Sequence, residues 1–254
     1  MILEKFRLDG RVALVTGASS GIGMACSLGL AEAGARLVIG ARRLDRLNMV
    51  AAELRHAGAE VIVSRCDVSE RESCDRMVSA AVQAFGSVDV LVNNAGVAAA
   101  VPATHEAEEH FRQILDVNLM GAYWMAQSCG RVMRPGSSIV NISSVLALTT
   151  AELPQAAYTA SKSGLLGLTR DLSQQWGRSR KGIRVNALLP GFFATEMTGE
   201  YSPDYLSELL LRRVPEGRLG ELWECVAAIL FLASDAASYI NGVSLPVDGG
   251  LLIT

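Results

Sequence analysis

The sequence has few of the residues from which disulfide frameworks and metal centres are built. Its five cysteines are scattered, and no two of them stand in CxxC spacing; its three histidines form neither an HExxH nor an HxH pattern. An odd set of isolated cysteines argues against both a disulfide framework and a zinc site. We therefore expect buried, reduced cysteines and no bound metal.

An excess of charge of one sign is also missing. Charged residues make up 19% of the 254 positions and the net charge is −3, so the chain has neither a basic nucleic-acid footprint nor an acidic tail. No stretch approaches the ~18 uncharged apolar residues that a membrane span needs, and the N-terminal segment lacks the apolar region of a secretory signal. We expect a cytoplasmic protein that acts on a small molecule and has no nucleic-acid or membrane partner.

Half of the residues are hydrophobic, and they occur as short apolar runs that alternate with helix-sized segments. Such runs are typical of parallel strands that are covered on both faces. The alternation predicts an α/β fold: a doubly wound, Rossmann-type parallel sheet with helices on both faces. The predicted strands are 12–16, 36–40, 60–65, 88–93, 138–143, 184–188 and 243–247, and the predicted helices are 21–33, 44–57, 70–85, 105–130, 155–178 and 221–233. We expect a single domain over residues 1–254.

The least regular segment is about 191–216, and we expect it to form a substrate lid. Two prolines, Pro203 and Pro215, are expected to interrupt helical continuity there. The segment carries the large side chains Phe192, Phe193, Met197, Tyr201 and Tyr205. Such side chains either line a pocket or simply pack in a core. If they line a pocket, they favour a medium-sized, mostly apolar ketone over a free sugar.

The first predicted strand leads into a glycine-rich turn, and a helix pattern follows. Glycine permits positive φ and close approach of a ligand, while a helix N-terminus offers free N–H groups and partial positive charge to a pyrophosphate. A plain tight turn is the alternative. The spacing GxxxGxG indicates a dinucleotide site that consists of Gly17, Ser19, Ser20, Gly21, Ile22 and Gly23.

Arg42 and Arg43 follow the second predicted strand, where a carboxylate would bind the ribose 2′-OH of NAD(H). A guanidinium can instead bind a 2′-phosphate bidentately. Arginines in a first helical turn oppose the helix dipole, so a solvated helix start is the weaker interpretation. The sequence favours NADP(H), with NAD(H) as the alternative.

Asp67 and Val68 follow the third predicted strand. The Asp67 carboxylate would either accept a hydrogen bond from the adenine amino group or cap the helix that begins near residues 69–71. The sequence supports these two roles equally.

Tyr158 and Lys162 are four residues apart on a predicted helix, so their side chains share one face. Only three of the 23 basic residues are lysines, which makes a lysine at this spacing informative. Ketone reduction needs a proton donor at the oxygen, and a tyrosine with a pKa of about 10 exchanges protons poorly near neutrality. An ammonium ~4 Å away would favour the phenolate by about 4 kcal/mol at an effective dielectric of 20. We therefore expect Lys162 to lower the pKa of Tyr158.

Ser143 and Ser144 end the fifth predicted strand, at the carboxyl edge where ligands bind to such sheets. A serine hydroxyl there would hydrogen-bond the substrate oxygen and hold it against Tyr158. A turn or a helix cap is the alternative use of such a pair.

The chain resembles the short-chain dehydrogenase/reductase family over nearly its whole length. The shared motifs, in order, are TGASSGIG at 16–23, NNAG at 93–96, DVNLMG around Asn118, NISS at 141–144, YTASK at 158–162, PG at 190–191 and VDGG at 247–250. The resemblance implies a catalytic tetrad of Asn118, Ser144, Tyr158 and Lys162, in which Asn118 holds a water that relays protons from Lys162.

The resemblance also implies further contacts with the cofactor. The residues concerned are Asn94, Ala95, Gly96, Tyr158, Lys162, Pro190, Gly191, Phe193 and Thr195. Among them, the segment 93–96 would stabilise the central sheet, and Gly191, the Phe193 backbone and Thr195 would hold the nicotinamide carboxamide. Arg42 stands at the position that is typical of NADP-dependent members.

Two features depart from the family pattern. Ser144 and Tyr158 are fourteen residues apart, one more than in many relatives, which places an extra residue in the loop 146–155 beside the substrate and keeps Ser143 as an alternative to Ser144. The phosphate loop has Ser20 where NADP-dependent members often have arginine, so Arg42 must carry more of the cofactor preference.

The implied activity is transfer of a hydride between NADP(H) and a carbonyl or secondary alcohol, in the role of a ketone reductase. The alternatives are a 3-oxoacyl-[acyl-carrier-protein] reductase, a sugar or polyol dehydrogenase, and a sensor that binds NADP(H) without turnover. An intact Tyr158 and Lys162 argue against the sensor. Family members of this size are usually homotetramers, and we expect the same here.

Overall fold

Seven short apolar segments form one parallel sheet in the computed structural model. The model describes residues 1–196 and 198–254, except for the side chain of Glu200. The strands are β1 (Val12–Thr16), β2 (Arg36–Ala41), β3 (Val61–Arg65), β4 (Val90–Asn93), β5 (Ser138–Ile142), β6 (Arg184–Pro190) and β7 (Ser244–Val247). Their order is β3-β2-β1-β4-β5-β6-β7. The predicted doubly wound α/β fold is confirmed, and the predicted strand ends are correct to within two residues.

The order of the strands reverses between β1 and β4. Crossovers on the two sides of this point run to opposite faces of the sheet, so the loops that follow β1 and β4 separate and leave a crevice at the carboxyl ends of the strands. This crevice is where the fold places a ligand.

Eight α-helices connect the strands in the part of the chain that the structure describes. They are α1 (Gly21–Glu32), α2 (Leu44–His56), α3 (Arg71–Phe85), α4 (Glu108–Leu115), α5 (Gly121–Val132), α6 (Ala156–Trp176), α7 (Pro203–Arg213) and α8 (Leu222–Ala233). One apolar core joins α1, α2 and α8 to one face of the sheet, and a second joins α3, α5 and α6 to the other face. Because β1, β4 and β5 are buried along their whole length, their sequences read as continuous apolar runs.

The predicted helix 105–130 is interrupted. A π-helical turn over Asp116–Met120 separates α4 from α5, and the Gly121 N–H donates to the carbonyl of Asp116. The i→i+5 bond accommodates one extra residue without ending the helix, and apolar periodicity does not reveal it. The turn holds Asn118 at the edge of the crevice.

The expected irregular lid contains a helix. Pro203 begins α7, and the Ser202 hydroxyl caps it by accepting the Tyr205 N–H at 3.2 Å. The expectation that Pro203 breaks helical continuity is therefore wrong, because proline is favourable in a first turn, where its missing N–H has no partner to lose. Met197, which the sequence placed in the lid, lies outside the described residues.

All five cysteine side chains are buried, as expected. Among the helices that the structure describes, none has the length and apolar character to cross a membrane. The described side chains, which do not include that of Glu200, form no cluster of three or more potential metal ligands.

Candidate active site

The glycine-rich turn between β1 and α1 has a backbone that favours glycine. Gly17 and Gly21 have φ values of +65° and +53°, which other residues rarely adopt. A Cβ on Gly17 would lie 2.8 Å from the Cα of Ala95, and one on Gly23 would lie 2.4 Å from the Gly17 carbonyl oxygen. The N-cap residue Ser20 makes no side-chain cap bond, so the first N–H groups of α1 are available to an anion.

A cavity of about 490 Å³ opens beside this turn. Its lining includes the predicted residues Gly17, Ser19, Ser20, Gly21, Ile22, Arg42, Arg43, Asp67, Val68, Asn94, Ala95, Gly96 and Thr195. Free N–H groups, hydroxyls and guanidinium groups suit phosphates, and the volume is typical of cofactor sites. The residues present therefore fit a dinucleotide. Six other predicted cofactor residues lie outside this lining, namely Gly23, Tyr158, Lys162, Pro190, Gly191 and Phe193.

Arg42 and Arg43 both line the cavity, but their side chains differ in their contacts. Arg43 donates to Ser20 Oγ at 2.9 Å and to Ser19 Oγ at 3.3 Å, and its Nη1 lies 3.5 Å from a carboxylate oxygen of Glu196. Arg42 is exposed, and its side chain makes no hydrogen bond or ion pair with the side chains that the structure describes, a set without Met197 and Glu200. The Arg42 guanidinium is thus free to bind a phosphate, whereas Arg43 orders the phosphate loop.

Glu196 is a cavity residue that the sequence did not predict. Its carboxylate pairs with Arg46 on α2 as well as with Arg43, and the hydrogen bond from Arg46 lowers the pKa of Glu196. The ion pairs connect the segment after β6 to α2. No local pattern marks Glu196, because its partners are about 150 residues away along the chain.

Asp67 lines the cavity without capping α3. Its Oδ1 accepts hydrogen bonds from the Ser69 N–H at 3.1 Å and from the Ser69 hydroxyl at 2.7 Å. α3 begins at Arg71, with Glu70 as its N-cap residue. The carboxylate therefore closes a local Asx-type turn. The helix-cap interpretation is wrong, and contact with adenine stays a prediction.

Two asparagines at the end of β4 form hydrogen bonds between the cavity lining and the neighbouring strands. Asn94 Nδ2 donates to the carbonyls of Thr16 at 3.0 Å and Gly17 at 3.1 Å. Asn93 Nδ2 donates to Asn141 Oδ1 at 2.9 Å. Side-chain amides thus join the carboxyl ends of β1, β4 and β5, in agreement with the sheet-stabilising role that the resemblance implies.

Tyr158 and Lys162 lie on one face of α6, as their spacing predicts. The Lys162 Nζ is 5.7 Å from the centre of the Tyr158 ring. Lys162 is only 4% exposed, and its Nζ donates to the carbonyl of Ile142, at the end of β5, at 2.9 Å. This bond uses one of the three ammonium protons.

The two serines after β5 have different surroundings. Ser143 Oγ donates to the Lys162 carbonyl at 2.9 Å, and so it is occupied by the backbone of α6. Ser144 Oγ accepts the Leu146 N–H at 3.1 Å, and hydrogen bonding with Ser144 opposes the rise in the pKa of Tyr158. The geometry therefore makes Ser144, and not Ser143, the polar neighbour of Tyr158.

Burial controls the protonation of Tyr158 and Lys162. It raises the pKa of Tyr158 to about 12, an effect that hydrogen bonding with Ser144 only partly offsets, and it lowers the pKa of Lys162 to about 8. The expectation that Lys162 lowers the pKa of Tyr158 is wrong for this arrangement, because burial of the phenol raises that pKa and Ser144, not Lys162, is the group that opposes the rise. Tyr158 is held as the neutral phenol at pH 7, which is the form that donates a proton.

Asn118 and Gly96 connect this cluster to the cavity. Asn118 Oδ1 accepts the Val97 N–H at 2.8 Å, and its Nδ2 donates to the Val97 carbonyl at 2.9 Å and to Ser161 Oγ at 3.0 Å. A Cβ on Gly96 would lie 3.3 Å from the Lys162 Nζ and 3.4 Å from Asn118 Oδ1. Because Gly96 also lines the cavity, Lys162 stands directly behind the cavity wall. The side chain of Asn118 has its partners within the protein, so a relayed water would have to contact the Asn118 backbone.

The residues after β6 shape the other side of the site. A Cβ on Gly191 would lie 2.8 Å from the Cα of Asp248, and the Phe193 side chain is buried. Of the residues that the resemblance implies for the nicotinamide carboxamide, only Thr195 lines the cavity. Contacts of Gly191 and Phe193 with the nicotinamide stay predictions.

Aromatic side chains of the segment 191–216, the expected lid, lie around Tyr158. Phe192 and Tyr205 share its apolar cluster, and the Tyr201 ring centre lies 6.1 Å from that of Phe192 and 5.6 Å from that of Tyr205. The Tyr205 hydroxyl donates to the Ala151 carbonyl at 2.6 Å. This hydrogen bond connects α7 to the loop before α6. The wall beside Tyr158 therefore offers hydroxyls as well as apolar rings.

Known proteins are similar to this chain in both sequence and architecture. A family model described as enoyl-(acyl carrier protein) reductase matches residues 17–252. The chain is 42% identical to galactitol 2-dehydrogenase (L-tagatose-forming) of Cereibacter sphaeroides over 98% of this chain and 97% of that protein. It is 38% identical to a 3-oxoacyl-[acyl-carrier-protein] reductase of Thermotoga maritima over 97% and 100%. The chain belongs to the short-chain dehydrogenase/reductase family.

Solved structures support the same assignment. A short-chain type dehydrogenase/reductase from Mycobacterium marinum superposes with a TM-score of 0.94 at 31% identity, and the match covers 100% of both chains. As a short-chain dehydrogenase/reductase, the protein is an oxidoreductase that acts on CH–OH groups with a nicotinamide cofactor.

Proposed function

We propose that this short-chain dehydrogenase/reductase interconverts a ketone and a secondary alcohol with NADP(H) and works as a ketone reductase. The observation that carries the proposal is the position of Lys162 directly behind the cavity wall at Gly96, with the Tyr158 ring 5.7 Å from its Nζ and Ser144 as the polar neighbour of Tyr158. A sensor without turnover would not need a buried phenol beside a serine hydroxyl. The free guanidinium of Arg42 supports NADP(H) over NAD(H).

The side chains divide the chemistry of ketone reduction between them. When bound, the reduced nicotinamide supplies a hydride, with its electron pair, to the carbonyl carbon. Ser144 Oγ already accepts the Leu146 N–H, so its own proton is free to hydrogen-bond the carbonyl oxygen. Tyr158 donates its proton to that oxygen, which yields the neutral alcohol, and the Lys162 ammonium stabilises the resulting phenolate. The free protons of Lys162 Nζ are available to a cofactor ribose.

The homotetramer is also a proposal. β7 is an edge strand, and Tyr239 and Ile253, which precede and follow it in the sequence, are almost fully exposed. Exposed sheet edges are usually covered or protected. Sedimentation should give about four times the 27.0 kDa of one chain, and a mass near 27.0 kDa would overturn the tetramer.

The test of the activity compares Tyr158→Phe with Tyr239→Phe, a matched change at an exposed tyrosine. Loss of the proton donor should lower ketone reduction by a factor of about 100 or more, while NADPH still binds in a fluorescence titration. Tyr239→Phe should retain both properties. If Tyr158→Phe kept a substantial part of the rate, Tyr158 would not be the proton donor.

A further inference from the structure

Ser143 directly follows β5 and connects two neighbouring elements of the site. It is 3% exposed. Its N–H donates to the carbonyl of Leu188 on β6 at 2.8 Å, and its hydroxyl donates to the backbone carbonyl of Lys162 on α6 at 2.9 Å. The backbone of Lys162 is therefore bonded to the carboxyl end of the sheet.

The carbonyl that precedes Ser143 binds the other end of Lys162. The N–H and C=O of a trans peptide point in opposite directions, and because the Ser143 N–H points to β6, the Ile142 carbonyl points to the β4 side. β4 ends at Asn93, which pairs with Asn141, so the strand stops before it could pair with Ile142. The Lys162 Nζ takes this place and donates to the Ile142 carbonyl at 2.9 Å.

These two bonds hold Lys162 at both ends against a single peptide unit. Its backbone carbonyl accepts from Ser143, and its Nζ donates to Ile142. A free lysine side chain is flexible and has high rotamer entropy, whereas one that is fixed at both ends has few positions left for its ammonium. The position that it takes is 3.3 Å from where a Cβ on Gly96 would lie. The ammonium is thus in place behind the cavity wall before a cofactor binds.

We infer that Ser143 is a positioning residue whose hydroxyl keeps the Lys162 ammonium at the cavity wall. This inference rests on the proposed function, in which Lys162 offers its free protons to a cofactor ribose. Ser143 is not among the residues that line the cofactor cavity, so it acts through Lys162 and not on the ligand. The two adjacent serines therefore have separate tasks, since Ser144 is the polar neighbour of Tyr158.

A serine hydroxyl that bonds a backbone carbonyl can also be a purely structural contact, and α6 offers a matched example. Ser163 donates to the carbonyl of Ala147 at 2.9 Å and so also joins α6 to the segment after β5. Its bond does not hold either end of the Lys162 side chain. Loss of the Ser163 hydroxyl should therefore weaken the attachment of α6 without freeing Lys162.

The experiment is a double-mutant cycle on the Kd for NADPH, measured by fluorescence titration. Ser143→Ala and Ser163→Ala are each made in the wild type and in Lys162→Met. We expect Ser143→Ala to raise the Kd about fivefold in the wild type and less than about 1.5-fold in Lys162→Met, because the group that it positions is already gone. Ser163→Ala should change the Kd less than about twofold in both backgrounds. An equal rise with Ser143→Ala in both backgrounds would make Ser143 a structural residue and overturn the inference.

Ser143→Cys separates the hydrogen bond from the space that the side chain fills. The thiol occupies the site but is only a weak donor, so this variant should also raise the Kd for NADPH. A wild-type Kd in Ser143→Cys would assign the effect of Ser143→Ala to packing and would contradict the inference.

Protein labelled with ¹³C-lysine reports on the same side chain without a cofactor. The chain has only three lysines, so the Lys162 signal is assigned by its loss in Lys162→Met. Ser143→Ala should lower the NMR order parameter of the Lys162 ε-methylene by about a third, and Ser163→Ala should leave it unchanged. No change in Ser143→Ala, or an equal fall in Ser163→Ala, would overturn the inference. Neither readout needs turnover, so a wild type that binds NADPH but reduces no ketone would overturn the proposed function alone.

Discussion

Replacement of Lys162 by methionine should abolish activity and stabilise the protein. Lys162 is almost completely buried, and burial holds its pKa at about 8, against an ordinary value of 10.5. At about 1.4 kcal/mol per pKa unit, keeping this side chain charged at pH 7 costs the folded state about 3 kcal/mol. Methionine has a similar length and no charge. It also removes the bond to the Ile142 carbonyl, which subtracts about 1–2 kcal/mol.

The net gain at pH 7 is therefore about 1–2 kcal/mol, or a rise in Tm of about 4 °C at roughly 2–4 °C per kcal/mol for a chain of this size. The gain depends on pH with a definite sign. Because the folded pKa lies below the unfolded one, the unfolded chain binds more protons between pH 8 and 10.5, and wild-type stability rises with pH across that window. Near pH 10 the cost falls below about 1 kcal/mol, so the Lys162→Met variant loses its advantage.

The assay is thermal unfolding of wild type and Lys162→Met without cofactor at pH 7 and pH 10. Lys181→Met is the control, because Lys181 is exposed and donates to the Gly130 carbonyl at 2.7 Å. It loses the same kind of bond without removing a buried charge, so it should show no gain in Tm at either pH. A Tm difference between Lys162→Met and wild type that is equal at pH 7 and pH 10 would refute the reasoning.

Three further predictions concern the cofactor and the pH profile. Arg42→Ala should raise the Kd for NADPH about tenfold or more and the Kd for NADH by less than about twofold, and an equal loss for both would remove Arg42 from the phosphate. Glu196→Gln should tighten NADPH relative to NADH, because the carboxylate pairs with Arg43 in the cavity and would repel a 2′-phosphate; an unchanged ratio of the two Kd values would contradict this. Alcohol oxidation should rise with pH from 7 to 10, because it needs the phenolate of Tyr158, whose pKa is raised to about 12, and a rate that declined over this interval would contradict that role.

The sheet could be predicted from the sequence because its signals are local. Continuous apolar runs between turns indicate the strands, and Arg42, which directly follows the predicted second strand, lines the cavity. The start of α7 could also have been predicted from the sequence, because Ser202 is a favourable N-cap residue and Pro203 is favourable in the first turn. Reading Pro203 only as a helix breaker missed this signal.

Other parts of the site depend on contacts that no local pattern encodes. The spacing of Tyr158 and Lys162 correctly placed both on one face of α6, but the direction of the Tyr158 pKa shift depends on how deeply the phenol is buried in the folded chain. The contact between Glu196 and Arg46 requires the segment after β6 to return to α2. The bond between Gln155 and Tyr201 joins residues 46 positions apart. In each case the decisive quantity is a tertiary distance or the exclusion of water.

Three unfavourable features coincide around Tyr158. Lys162 is a buried cation whose ammonium donates to a backbone carbonyl and not to a carboxylate. Gln155 Oε1 is a buried acceptor that is unpaired among the described side chains, and the π-helical turn that carries Asn118 interrupts a regular helix. Such local conflicts concentrate where function selects residues at the expense of stability. A cofactor ribose can accept protons from Lys162, so the cofactor would relieve one specific cost of the unliganded fold. Cofactor binding should therefore stabilise the protein through Lys162, and Lys162→Met should reduce the rise in Tm that NADPH causes.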